Sequence, residues 1–200
     1  GPGAVAFGYP GLPYADTGAV DDLGEPSIKP AETIERMRVT GKIAAEILRL
    51  AGEKVRPGVT TEEIDAYVHE LYIERDSYPS PLNYNGYPKS LCTSLNHVVC
   101  HGIPGPRALK EGDVLNIDVT FIVDGWHGDS SRMYAVGEIK RAAERLIEVT
   151  YESMMRGIAE IKPGRHTGDI GFAIQDFAEG ERCSVVRDFC GHGVGRLFHD

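Results

Sequence analysis

The stretch VLNIDVTFIVDGWHGDSSRMYAV, residues 114–136, decides the fold. Two runs rich in β-branched and aromatic residues flank Asp124-Gly125, a dipeptide suited to the positive φ angles of a tight hairpin turn. Val114 to Val123 and Trp126 to Val136 therefore read as antiparallel strands, and Cys92 to Cys100 (CTSLNHVVC) as a third. Asp118 sits in the middle of an apolar strand, where an unpaired buried carboxylate is very costly. With a two-residue turn, Asp118 lies opposite Ser131 and Thr120 opposite Asp129. With a four-residue loop, Asp118 faces Asp129 directly. Either register puts both aspartates on one face with Cβ atoms about 5–8 Å apart. Two carboxylates that close favour a shared cation, and a pair of divalent metals about 3.5–4 Å apart is one solution. Standing alone, Asp129 in HGDSS would read as a solvated turn or edge residue.

Helical patterns surround the strands. Ile34, Met37, Val39, Ile43, Ala44, Ile47, Leu48 and Leu50 recur at helical spacing, with Pro30 placed to begin a helix and Gly52 near its end. After the Pro57-Gly58 turn, Thr60 or Thr61 caps a second helix whose apolar face is Ile64, Tyr67, Val68 and Leu71. Arg56-Pro57-Gly58 with Thr61 and Ile64 matches Lys162-Pro163-Gly164 with Thr167 and Ile170, every pair 106 residues apart. A second pair of helices is expected over 141–160 and 167–179. Pro-Gly before a helix is common punctuation, but the constant offset suggests a duplicated unit. Central strands between two helical pairs imply an α+β fold in which helices cover a curved sheet.

The chain has 200 residues, 42% of them hydrophobic, enough for one domain with a sizeable core. Thirty acidic against 21 basic residues give a net charge of −9. That balance argues against nucleic acid and against an anionic membrane as partners. No apolar run approaches the roughly 18 residues of a membrane span, and no signal segment opens the chain, so a cytoplasmic protein is expected. Cys92, Cys100, Cys183 and Cys190 have neither a metal-clip nor a disulfide-framework spacing and read as packed thiols. Residues 1–28, rich in Gly, Pro and Ala, read as a flexible N-terminal extension, and residues 29–200 as the folded domain.

The C-terminal stretch CGHGVGRLFHD, residues 190–200, places His192 and His199 among three glycines, and His101 stands in the Gly/Pro turn CHGIP. Neutral imidazole is a common metal ligand, and glycines let the backbone approach one. GHGVG matches neither phosphate-loop pattern. Each histidine by itself reads as readily as a structural residue.

GYPKSLCTSLNHVVCHGIP (86–104), NIDVTFIVDGWHGDSSRMY (116–134) and CGHGVGRLFHD (190–200) together resemble, in order and spacing, the type I methionine aminopeptidases of the pita-bread metallopeptidase family M24. The resemblance covers about residues 30–200. It implies two pseudo-symmetric halves, in keeping with the repeat, and an antiparallel sheet covered by helices. It also implies two divalent metal ions, drawn from Co²⁺, Mn²⁺, Fe²⁺ or Zn²⁺, held by Asp118, Asp129 and His192. His101 corresponds to a histidine touching substrate around the scissile amide, and His199 to one that holds the carbonyl oxygen and its tetrahedral successor. Tyr84, Tyr87, Cys92 and Phe198 correspond to the methionine pocket. Asn96 and Val98 correspond to a monovalent-cation site for Na⁺ or K⁺, His97 standing where an acidic residue is usual. The implied reaction is hydrolysis of the bond after an initiator methionine. Its substrates are nascent polypeptides with a small second residue, and a monomer is also implied. Separately from the resemblance, the prolines of residues 1–28 leave a ribosome contact open, beside the plainer reading of that stretch as a tag and linker.

Two further glutamate ligands of the family lie downstream of FHD, and Asp200 stands where a glutamate is usual. On this reading the C-terminal part of the fold is absent, and the 200 residues alone are expected to bind metal weakly and to be inactive. The same residues leave other classes open: a non-catalytic pita-bread paralogue or fragment acting as a binding module, or an Xaa-Pro aminopeptidase.

Overall fold

The computed structural model describes residues 28–200, so the extension expected over residues 1–28 lies, as far as residue 27, outside the described residues. The elements are α1 (Ala31–Gly52), α2 (Thr61–Ile73), β1 (Tyr78–Pro79), a 3-10 turn (Tyr84–Gly86), β2 (Cys92–Leu95), β3 (Val114–Val123), β4 (Trp126–Ala135), α3 (Arg141–Ala159) and α4 (Thr167–Gly180). They fall into two compact units, one running to Glu138 and including His192–Asp200, the other Ile139–Gly191. No helix among the described residues is long and apolar enough to cross a membrane.

In the first unit β3 is the central strand. β4 pairs along one edge over its whole length, from Val114↔Ala135 to Val123↔Trp126. The other edge is shared, with β2 opposite Leu115–Asp118 and β1 opposite Phe121 and Ile122, all antiparallel. Asp124 (φ +50°) and Gly125 (φ +78°) both take the left-handed conformation of a two-residue hairpin turn. This settles the register: Asp118 pairs with Ser131 and Thr120 with Asp129.

Alternation along β3 sorts its side chains. Leu115, Ile117, Val119 and Phe121 point into the core against Ala44, Ile47, Leu48 and Ala51 of α1 and Ile64, Val68, Leu71 and Tyr72 of α2. Asn116, Asp118, Thr120 and Ile122 point to the opposite face. Burying an aliphatic side chain this way contributes about 1.5–3 kcal/mol. Ile34 and Val39, expected on the apolar stripe of α1, are exposed. At 100° per residue Val39 lies on the far side of the helix from Ala44, whereas Thr40 is buried with it.

The third strand is shorter than its sequence suggested. β2 stops at Leu95, because Asn96 takes φ +54° and Val98 N–H donates to the Leu95 carbonyl at 3.1 Å. The Asn96 side chain holds that turn, donating to Asp113 at 2.8 Å and accepting from Val114 N–H at 3.0 Å.

The repeated phrase adopts the same local structure twice. Gly58 (φ +91°) and Gly164 (φ +85°) turn the chain, and α2 and α4 begin at Thr61 and Thr167. The Glu63 carboxylate accepts from Thr60 N–H at 2.7 Å and the Asp169 carboxylate from His166 N–H at 2.9 Å, so the match extends to the helix caps. In the second unit α3 and α4 pack closely at Gly157, where a Cβ would come within 2.8 Å of Ile174, and Arg145 pairs with Glu181 at 2.8 Å.

Candidate metal centre

Three rows of side chains cross the face of the sheet opposite the core. Cys92, Asp118 and Ser131 form one row, Thr120 and Asp129 the next, Ile122 and His127 the third. Burial, and after it the neighbouring Asp129 charge, push the Asp118 carboxyl up to about 7. Burial also raises Asp129, opposed by His192 and by a hydrogen bond from Thr120. As anions the two carboxylates repel each other, and a cation between them relieves that repulsion.

His192 reaches the same carboxylate from the segment His192–Asp200. Its Nε2 lies 3.5 Å from Asp129 Oδ2, and its Nδ1 lies 2.8 Å from the Gly193 carbonyl. A carbonyl only accepts, so Nδ1 carries a proton and, in the neutral ring, Nε2 turns a lone pair toward a carboxylate oxygen. In that neutral form two acceptors face each other, and the cation that fits between them is a metal ion or the ring's own second proton. A metal-ligating histidine has this arrangement, the far ring nitrogen tied to a backbone oxygen. Among the described residues no group of three or more His, Cys, Asp or Glu converges into a ready cage. Asp118, Asp129 and His192 come instead as two linked pairs that share Asp129. Carboxylate and imidazole donors of this kind fit a divalent ion.

The other candidates fall into three groups. Tyr84 Oη lies 3.1 Å from His199 Nδ1, the Tyr84 ring is tilted 4.8 Å from Phe198, and Phe198 stacks on His199 at 4.5 Å. His199 meets His192 edge-on at 4.4 Å, so this aromatic group adjoins the Asp129 side of the site. Tyr87 and Cys92 form the second group. The Tyr87 hydroxyl donates to the carbonyls of Leu91 and Gly102, each 3.0 Å away, and burial pushes the neighbouring Cys92 thiol up to about 11, keeping it neutral beside Asp118. The segment 84–91 is pinned by buried Asp65, whose carboxylate accepts from Ser90 N–H (2.8 Å) and Leu91 N–H (3.2 Å).

His101 and the Asn96–Val98 turn make the third group. His101 is exposed and left-handed at φ +55°. Gly102 beside it runs so close to Thr93 that no side chain would fit, and it bonds to Thr93 and Ser94. That contact sets the His101 loop along the far edge of β2, which itself pairs with β3 at Asp118. Asn96 uses its side chain on Asp113 and Val114, leaving main-chain carbonyls as the donors available for a monovalent cation.

Sequence reasoning passed over two residues. Thr120 donates to Asp129, and His127 is buried on the same face, burial holding its imidazole down at about 4. Both were within reach of the hairpin register, since the two-residue turn that pairs Thr120 with Asp129 also pairs Ile122 with His127.

The chain matches metallopeptidase family M24 over residues 35–200. It is 54% identical over 165 residues to a methionine aminopeptidase from Rickettsia prowazekii, a match covering 82% of this chain and 64% of that protein. A crystal structure of methionine aminopeptidase from the same organism superposes with a TM-score of 0.87 at 52% identity, over 88% of this chain and 71% of that one. The prolidase from Pyrococcus furiosus superposes at 0.73 with 22% identity over 86% of this chain, a likeness of fold alone.

Proposed function

Because the chain belongs to metallopeptidase family M24, with the type I methionine aminopeptidases and their pita-bread fold, we propose that the whole protein removes the initiator methionine from nascent polypeptides by metal-assisted hydrolysis of the first peptide bond. The observation that carries the reading is the convergence of Asp118 and His192 on Asp129, carboxylate and imidazole groups gathered on one face of the hairpin where a divalent ion fits. On this reading residues 29–200 belong to one pita-bread domain preceded by an extension, and the protein is a cytoplasmic monomer acting on chains with a small second residue. The chain spans 64% of the length of the Rickettsia relative, so the activity is that of the whole protein.

Asp118, Asp129 and His192 would hold the ions, of which Mn²⁺, Fe²⁺, Co²⁺ and Zn²⁺ all suit these donors. Bound there, divalent ions supply Lewis-acid polarisation of the scissile carbonyl and a nucleophile at neutral pH. The chain's own residues do the rest. Tyr84 and Phe198, with Tyr87 and Cys92, offer neutral apolar and aromatic surface for a flexible thioether side chain. His199 Nδ1 lies 3.1 Å from the Tyr84 hydroxyl; in the tautomer in which that hydroxyl donates, the His199 proton is on Nε2 and can be given to the carbonyl oxygen as negative charge grows there. His192, seven residues earlier, holds the opposite tautomer because its Nδ1 faces a carbonyl. His101 contacts the substrate around the scissile amide, and the carbonyls of the Asn96–Val98 turn would hold a monovalent cation.

The test is methionine release by the full-length protein from Met-Ala-Ser, with Ala-Pro-Ser as the competing substrate, in the presence of added Mn²⁺ or Co²⁺. Metal-dependent release of methionine is expected, with Asp129→Asn lowering it by about a thousandfold or more. Cleavage of Ala-Pro-Ser in preference to Met-Ala-Ser, or methionine release indifferent to a chelator, would overturn the reading.

A further inference from the structure

The segment His192–Asp200 contains no helix or strand, yet it carries His192, Phe198 and His199 into the site. Two of its bonds are internal: Gly195 N–H donates to the Leu197 carbonyl and Asp200 N–H to the Gly193 carbonyl, both at 3.1 Å. Something must also set its height over the sheet. The Gly195 carbonyl, midway between the two histidines, is bonded twice by one residue. His127 N–H donates to it at 2.8 Å and His127 Nδ1 lies 3.2 Å from it. The His127 ring also lies 5.6 Å from that of Phe198, and its own carbonyl accepts from Thr40 Oγ1 of α1 at 3.3 Å.

His127 is 1% exposed, and its Nε2 is buried without a partner among the described residues. An unsatisfied buried polar atom is costly, so leucine or phenylalanine would serve packing better. What an apolar residue cannot supply is the second bond to Gly195. The acceptor is a carbonyl, so the proton is on Nδ1 and the bond has one sense.

We propose that His127 is a positioning residue, whose imidazole fixes Gly195 and thereby places His192 and His199 against Asp129, two residues along the same face of β4. The proposal rests on the functional reading above for what the site does, but not for the placement itself. Outer partners that orient ligands typically contribute 10- to 100-fold in metal affinity or activity.

The experiment compares wild type, His127→Leu, His127→Asn and His127→Gln in the full-length protein by Mn²⁺ titration calorimetry, kcat and KM on Met-Ala-Ser, and thermal unfolding. The Asn side chain amide sits near the position of Nδ1, the Gln amide near Nε2. Expected are a 10- to 100-fold loss of Mn²⁺ affinity and of kcat in His127→Leu, with near-wild-type values in His127→Asn and an intermediate loss in His127→Gln. Wild-type affinity in folded His127→Leu overturns the proposal, and so do equal losses in the Asn and Gln variants, a comparison that decides even if the Leu variant does not fold. Mn²⁺ binding by wild type without methionine release counts against the functional reading and leaves the affinity comparison intact.

Discussion

The hairpin that carries Asp118 and Asp129 is paired residue by residue from Val114↔Ala135 to Val123↔Trp126, whereas the segment that carries His192 and His199 is joined to its unit by the main-chain bond from His127 N–H to the Gly195 carbonyl and by a few side chains. The first half of the site is backed by core residues of β3, α1 and α2. The second relies on Gly195 bonded to His127, on Tyr84 against His199, on Arg196 over the Trp126 ring at 4.5 Å, and on the ion pair of Lys29 with Asp200. Carboxylates that repel each other need a scaffold stiff enough to keep them close. Histidines that must hold defined tautomers need specific partners more than bulk. Damage to the two halves should therefore register in different observables.

The largest separation is expected from Phe121→Ala. Phe121 is fully buried on the core face of β3, 5.4 Å from the Tyr72 ring. Its truncation should lower the unfolding free energy by about 3–5 kcal/mol in denaturant titration. Because the side chain points away from the carboxylates, the fraction that stays folded should keep its kcat within about threefold. A kcat loss larger than the share of protein unfolded would mean that the hairpin's two faces are not independent.

How far each half could be read from the sequence follows the same division. The hairpin, its apolar alternation, the helix caps and the 106-residue repeat depend on neighbours in sequence, and Asp124-Gly125 alone carries the turn conformation. The end of β2 was missed because Asn96 is held by Asp113, a tertiary contact invisible in the run CTSLNHVVC. The hairpin register places His127 on the face of the site, but its reason for being buried, the Gly195 carbonyl, lies 68 residues away. The candidates Asp118, Asp129, His192 and His199 were legible as residue types. Which nitrogen of each histidine carries the proton was not, since it depends on the group that Nδ1 meets in the fold, the Gly193 carbonyl for His192 and the Tyr84 hydroxyl for His199.

An intermediate effect is expected from Asp118→Asn in the metal-free protein. The folded carboxyl is raised to about 7 by burial first and by Asp129 next, so the folded state favours its protonated form. That contribution is fully present below about pH 4, the ordinary range of the unfolded chain, and is lost as pH rises through about 7. An asparagine can donate to Asp129 as the protonated acid does, without titrating. Metal-free Asp118→Asn should therefore exceed wild type in stability by about 2–4 kcal/mol at pH 8, the gap closing by about pH 4. Added Mn²⁺ should raise the wild-type melting temperature and leave the variant's nearly unchanged, a stability gained at the cost of function. Parallel pH profiles for the two proteins would show that the carboxyls do not share a proton.

The smallest effect tests the other half. Tyr84→Phe removes one hydroxyl, and with it the bond to His199 Nδ1, and keeps the ring that packs on Phe198. A single hydrogen bond of this kind is worth about 0.5–1.5 kcal/mol, and 1.4 kcal/mol is tenfold in rate. Without the hydroxyl, nothing in that pair holds the His199 proton on Nε2, and the ring spends part of its time in the tautomer that cannot donate to the carbonyl oxygen. The expected result is a three- to tenfold fall in kcat for Met-Ala-Ser, with little change in KM and no change in melting temperature. An equal fall in melting temperature would assign Tyr84 to the scaffold with Phe121. An unchanged kcat would show that the His199 tautomer is set elsewhere in the segment, and that the Tyr84 hydroxyl does not orient the donor.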